Sequence, residues 1–405
     1  MTFNLRWGIC STGSISHAFA KDLLIDPNTR GSQNILHEVA AVASRSPEQA
    51  TIFVNSLWQD AKPVAAKEAV RTHDTYAELF ADPDVDVIFI GSPPSVHYSH
   101  AHAALSAGKA VLLEKPFVCS AAQAKILVDL ARAKKVFLME GLWTRFQPCS
   151  FKVQEIVNSG ILGELRSVQA EHGVDFHSET QPPSHRMVRR DLAGGALLDI
   201  AWVPKLQCSA NSSKLMDILI RPYPWTWLTL LLCPPPSAST TALPVPALVA
   251  SATHAPIGVD EHVTAVVKFP QPSGKVILGT LTASITQTPR RVLIAQGSKG
   301  ILEVYHDGSC PPSFSYSAWD SDADYATQGK APSKTETFDF SKRPGDISGL
   351  AWEADEVARC IQSGKKESER WPLRETIRQM EVFDEIRRQC NITFPDEVET
   401  LVVQK

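Results

Sequence analysis

The sequence predicts an α/β chain whose amino-terminal part is a parallel sheet wound with helices, and three observations carry that prediction. Short apolar runs alternate with segments of helical spacing from Leu5 to Glu140. A strand, a tight turn of small residues and a helix follow one another between Leu5 and Leu24. The run Ala110-Val-Leu-Leu113 enters Glu114-Lys115-Pro116 without polar interruption, as a buried parallel strand does when it ends at a functional edge. At 405 residues the chain is too long for one ordinary core and suits two domains.

The first strand, Leu5 to Cys10, runs into Ser11-Thr12-Gly13-Ser14-Ile15-Ser16, ahead of a helix over Ala18–Leu24. Such a turn aims backbone N–H groups and the positive end of a helix at a phosphate. The G-x-G-x-x-G pattern is degenerate, with Ser11, Gly13 and Ser16 at its three glycine positions, and small residues there still permit close backbone approach. A second strand over Glu38–Ser44 completes a βαβ unit and ends in Ser44-Arg45-Ser46. An acidic residue at this point binds both ribose hydroxyls of NAD, whereas Arg45 can pair with a 2′-phosphate, so the residues favour NADP. The alternative is an ordinary surface arginine.

Asp74–Phe80 reads as a short helix and Asp86–Ile90 as a buried strand ending at Gly91-Ser92-Pro93-Pro94, a strand end that the prolines hold open. His97 begins a helix that runs to Ala107, as a ligand contact, a cap or a packing residue. Gly108 ends that helix. The strand of Lys115 follows, stopped by Pro116, and Lys115 is either a solvated lysine or a group placed where an open sheet binds ligands. Ser120 caps a helix to Lys134, and the strand Val136–Glu140 leads into Gly141-Leu-Trp143-Thr-Arg145-Phe146.

Composition narrows the function. Hydrophobic residues make up 43% and charged residues 21%, which suits a globular protein. A net charge of −4 without a basic block gives no reason to expect nucleic acid or an anionic membrane as partner. The amino terminus has no secretory pattern, and the eight scattered cysteines form no Cys-x-x-Cys pair. These features read as a cytoplasmic protein with reduced thiols and no metal site.

The turn with Thr12-Gly13-x-Ile15, the proline-rich strand end with His97, Ala107-Gly108-Lys109, Glu114-Lys115-Pro116-Phe117 and Trp143-Thr-Arg145-Phe146 together resemble the Gfo/Idh/MocA oxidoreductases. Within that family they are most similar to dimeric dihydrodiol dehydrogenases and fungal NADP-dependent D-xylose 1-dehydrogenases. The likeness continues through Ser184-His185-Arg186, Asp191 to Ile200, Gln296-Gly-Ser-Lys-Gly300 and Trp352 to Glu356. It implies a Rossmann domain over 1–149 and an α+β domain over 150–405 with a large, mostly antiparallel sheet. Strands are expected at Leu165–Glu171, Thr264–Phe269, Val276–Ala283, Val292–Ala295 and Ile301–Tyr305, and closing helices, Leu350–Ile361 and Leu373–Arg388, packed on the first domain. It also implies a homodimer.

By the same resemblance NADP contacts Ser11, Thr12, Gly13, Ile15, Ser44, Arg45, Pro93, His97, Glu114, Lys115, Trp143 and Arg145. Lys115 holds the substrate hydroxyl, and a tyrosine four residues after the aspartate of a Leu-Asp run acts as acid/base. Arg145 and Arg186 could bind substrate hydroxyls or pyrophosphate and His185 could contact substrate, with salt-bridged arginines and a packed histidine as the alternatives. The run begins as Leu198-Asp199-Ile200-Ala201, but Trp202-Val203-Pro204 replaces the tyrosine, and Pro222-Tyr223-Pro224 follows later. Deleting Trp202 to Arg221 restores the spacing, which makes Asp199, Tyr223 and Lys115 the catalytic set. That segment reads as a translated intron or another gene-model error, and the competing reading is a native loop. Cys233 to Pro246, rich in Pro, Ser and Thr, reads as a mobile loop.

The activity implied is oxidation of a sugar hydroxyl, D-xylose at C1. A trans-dihydrodiol dehydrogenase and a catalytically inactive NADP-binding regulator are the alternatives.

Overall fold

The computed structural model of the chain describes residues 2–58, 70–198, 223–233, 244–319, 332 and 334–402. β1 (Phe3–Cys10) lies inside the first sheet, with Leu5, Trp7, Ile9 and Cys10 fully buried. It pairs in parallel with β2 (Ile35–Ala43) and β4 (Val87–Ile90). With β3 (Arg71–His73), β5 (Ala110–Glu114) and β6 (Leu138–Gly141), the six strands take the order β3-β2-β1-β4-β5-β6, every pair parallel. The order reverses between β1 and β4, which opens a crevice beyond their carboxyl ends.

Crossover helices cover this sheet: α1 (Ser14–Leu23), α2 (Pro47–Leu57), α3 (Tyr76–Ala81), α4 (His97–Ser106) and α5 (Ala121–Lys134). The hydroxyls of Ser46, Thr75 and Ser120 accept from the N–H groups of Gln49, Glu78 and Gln123, so α2, α3 and α5 start where a capping residue stands. The residue pair 149/150, expected as the domain boundary, falls within α6 (Pro148–Asn158).

The second sheet has eight strands, in the order β14-β13-β12-β11-β7-β10-β9-β8. β7 (Leu165–Gly173) and β10 (Val276–Ser284) are its parallel pair, and the other pairs are antiparallel: β8 (Leu248–His254), β9 (Asp260–Pro270), β11 (Arg291–Gly297), β12 (Gly300–Tyr305), β13 (Ser313–Ala318) and β14 (Lys334–Asp339). Ser298 and Lys299 form the hairpin turn between β11 and β12. Val168, Ala170 and His172 of β7 point inward, onto α7 (Tyr223–Leu232), while Val266 and Leu278 point out.

The chain closes with α8 (Ala351–Gln362), α9 (Leu373–Cys390) and the short α10 (Asp396–Glu399). Asp355 of α8 takes hydrogen bonds from Arg30 and from His37, whose other ring nitrogen accepts from the Trp7 indole at 3.1 Å. Burial and Arg30 hold that imidazole neutral against the pull of Asp355. The carboxylate of Asp22 on α1 accepts from the N–H groups of Ser348, Gly349, Leu350 and Ala351, capping α8. No helix among the described residues is long and apolar enough to cross a membrane, and no group of His, Cys, Asp and Glu among them is placed to hold a metal.

Candidate active site

The turn after β1 opens a cleft of about 700 Å³ at the point where the strand order reverses. Ser11 sits there at φ +85°, in the left-handed region that its glycine-equivalent place predicts. Gly13 is the N-cap of α1, whose first turn holds no acidic residue and no side-chain cap, so its amide groups suit an anion. Gly91, after β4, allows the close approach of α1: a Cβ there would lie 2.8 Å from Phe89 Cε1 and closer still to Ser16 Oγ.

The carboxyl end of β2 forms another wall. Thr12 Oγ1 and Ser44 Oγ are 3.0 Å apart, and Ser44, exposed Arg45 and Ser46 all line the cleft. The sequence reading missed two lining residues, Gln49 and Tyr76. The signal for Gln49 was its place one turn after the Ser46 cap. Tyr76 opens α3 directly beyond β3, the strand next to β2, and burial pushes its phenol up to about 12 against the pull of Arg45.

Pro93, Glu114 and Lys115 form the third wall, with Arg186 facing them from the 3-10 turn Arg186–Val188. Lys115 and Glu114 are only 6% and 3% exposed, so neither is a solvated side chain. The cleft therefore gathers Ser11, Thr12, Gly13, Ile15, Ser44, Arg45, Pro93, Glu114, Lys115 and Arg186.

Other candidates stand elsewhere. His97 is buried behind the wall, its nitrogens 2.7 Å from the Ser92 carbonyl and 2.8 Å from that of Pro116, and it ties the ends of β4 and β5 together. Burial pushes its ring below the usual histidine range, against those two carbonyls. Arg145 is buried over the Trp371 ring, 4.5 Å from its centroid, and donates to the carbonyls of Thr226 and Arg370 and to the Thr229 hydroxyl. Burial lowers its guanidinium to about 10. His185 stacks on Phe176 with centroids 5.8 Å apart. Asp199 and the segment from Trp202 to Arg221 lie outside the described residues.

Tyr223 starts α7 and is fully buried. Its phenolic oxygen accepts from the indole N–H of Trp143, which opens the 3-10 turn after β6, and the His172 ring meets the phenol edge-on at 5.1 Å.

A family profile described as an oxidoreductase family with an NAD-binding Rossmann fold, Gfo/Idh/MocA, matches residues 5–142. Over 412 aligned residues, 98% of this chain and 95% of the relative, the chain is 35% identical to a D-xylose 1-dehydrogenase (NADP(+)) of Hypocrea jecorina. The chain belongs to the Gfo/Idh/MocA oxidoreductase family. A human trans-1,2-dihydrobenzene-1,2-diol dehydrogenase is 30% identical over 97% of this chain and 99% of its own length. Among solved structures, a levoglucosan dehydrogenase with NADH and levoglucosan superposes with a TM-score of 0.73 at 17% identity, covering 96% of this chain and 97% of that one. A 3-ketoreductase from Actinomadura kijaniata with NADP and TDP-benzene gives 0.69 at 22%, covering 96% and 98%. Both share the fold of this Gfo/Idh/MocA member.

As a Gfo/Idh/MocA oxidoreductase, the chain has a cleft whose donors are arranged for a dinucleotide. The 11–15 turn, the Ser44-Arg45-Ser46 edge with its hydroxyls and cation, and the buried Lys115 line that cleft together.

Proposed function

We propose that this chain is an NADP-dependent dehydrogenase of a sugar hydroxyl, taking D-xylose at C1 to D-xylonolactone. The observation that carries the reading is the cleft, which joins the open start of α1, a carboxylate-free Ser44-Arg45-Ser46 edge and Lys115 on one concave surface. NADP fits this donor set: the 11–15 turn for the pyrophosphate, and Arg45 with the hydroxyls around it for the 2′-phosphate. Bound NADP supplies the hydride acceptor. Lys115 donates a hydrogen bond to the reacting hydroxyl and favours the charge that develops on its oxygen. Tyr223 takes the hydroxyl proton, with Asp199 as the third member of the set.

D-xylose is assigned on the name of the 35% identical relative. The 30% identical human relative supports a second reading, in which the hydroxyl belongs to a trans-dihydrodiol. The proposal extends to a cytoplasmic homodimer of two-domain subunits, in which Val249, Val266, Val276 and Leu278, 40% to 74% exposed on the outer face of β8 to β10, are covered by the second copy.

The test is NADPH formation from D-xylose or a trans-dihydrodiol with the full chain and with a chain lacking Trp202 to Arg221. D-xylose is expected to turn over, and Lys115→Met to lower kcat about 1000-fold while NADP binding persists. Turnover by the shortened chain alone identifies the segment as an artefact. NADP binding without turnover in either chain overturns the catalytic reading in favour of a regulator.

A further inference from the structure

We propose that Trp143 is a positioning residue for Tyr223, its indole N–H donating to the phenolic oxygen so that the phenolate is favoured and the phenol's own proton is directed away from the indole. The inference rests on the reading of Tyr223 as acid/base and deepens it by naming what holds the group.

The pair is long-range, donor and acceptor being 80 positions apart, and both side chains are buried, 4% and 0% exposed. Trp143 has little room to move. A Cβ on Gly349 would lie 3.1 Å from Trp143 Cζ3, and Gly349 itself sits at φ +119°, so the backbone there comes as near the indole as glycine permits. Gly349 is in turn held by Asp22 at its N–H and by Gln147 Nε2 at its carbonyl, 2.9 Å and 2.7 Å. On the other side His172 meets the phenol at an interplanar angle of 82°. The phenol is clamped between two rings carried by β7 and by the turn after β6.

An indole N–H is a donor only, so it can engage the phenolic oxygen only as acceptor. A donor aimed at that oxygen stabilises phenolate more than phenol and lowers the pKa of the group. In sugar oxidation the O–H bond of the substrate breaks as its proton forms the O–H bond of Tyr223. Bound NADP⁺ would accept the C–H hydrogen with its electron pair, so that the proton on Tyr223 and the hydride on the cofactor together account for the carbonyl formed.

Among the described residues, the groups on elements packed against α7 are few, and Arg378, 5.7 Å from the Trp225 ring centroid, is paired with Glu375. β7 brings His172, and the turn of Trp143 brings Arg145, already engaged with Thr226, Thr229 and Arg370. β10 carries no titratable side chain. On β11 Arg291 pairs with Glu303, on α6 Lys152 pairs with Glu155, and Asp307 accepts from Ser309.

The test titrates the Tyr223 phenol by ultraviolet tyrosinate absorbance in the cofactor-free full-length chain, taking the difference between the parent and Tyr223→Phe, and repeats it in a Trp143→Phe background. The midpoint is expected to rise by about one pH unit in Trp143→Phe, and Trp143→His, which keeps a ring N–H, is expected to recover part of the shift. An unchanged or lowered midpoint overturns the proposal and leaves Trp143 as packing. If the Trp143 variants do not fold, the Trp143 indole N–H resonance decides: it is expected to move upfield in Tyr223→Phe, and an unmoved resonance overturns the proposal. Turnover retained by Tyr223→Phe would separately reject the acid/base reading, without touching the hydrogen bond.

Discussion

Ser11 holds φ at +85° in the turn after β1, a conformation in which an L side chain crowds its own carbonyl. A hydroxymethyl group is small enough to tolerate it, and a β-branched side chain is not. Ser11→Val is expected to destabilise the cofactor-free protein by about 1–2 kcal/mol, with Ser11→Gly within about 0.5 kcal/mol of the parent. Urea unfolding midpoints at constant m check both. Lys115 and Tyr223 show the other side of the same scale. Each is a single polar group buried in the fold, and Tyr223 is held by Trp143 and His172 rather than by its own element.

At the scale of elements, the attachment of α8 is decided by one carboxylate. Asp22 receives four consecutive N–H groups between 2.6 Å and 3.1 Å, those of Ser348 and Gly349 on the approach and those of Leu350 and Ala351, which the helix start leaves without intrahelical partners. Burial pushes its carboxyl up against the pull of those amides. Asp22→Ala strands them in the interior and is expected to cost about 3 kcal/mol, with Asp22→Asn costing less because one acceptor oxygen remains. Chemical denaturation reads both. α7 presents the opposite problem. Nine of its residues are buried, so it has no polar face, and its run from Tyr223 shows no helical period from which a helix could be read. β3, β8 and β14 were likewise not legible, being short or exposed edge strands whose pairing comes from the sheet, and β13, paired on both sides, is a six-residue stretch of serines, aromatics and one alanine that carries no apolar run to read.

At the scale of the whole molecule, Glu140 joins the end of the parallel sheet to α9. It accepts from Trp371, Thr376, Gln379 and the Phe117 amide, between 2.8 Å and 3.2 Å. Burial outweighs these four donors and raises its carboxyl from 4.5 to about 7. The folded state therefore binds the proton more tightly than the unfolded state, and this group's contribution to stability falls as pH rises from 4.5 to about 7. That fall amounts to about 3 kcal/mol. In Glu140→Gln this group's part of the slope in the window is expected to be lost, whatever the change in absolute stability, as urea titrations of both proteins at several pH values would show. The sequence by itself determined the parallel strands, the dinucleotide turn, Arg45 after β2 and Lys115 after β5, because apolar runs and turn residues act over a few positions and place their ends at one edge of the sheet. Only the tertiary structure decided that His97 stands behind the cleft wall and Arg145 over Trp371, that Gln49 and Tyr76 line the cleft, and that Tyr223 rests on Trp143. Those partners lie far apart along the chain, and what brings them together is the packing of two sheets and the closing helices, which no local period encodes.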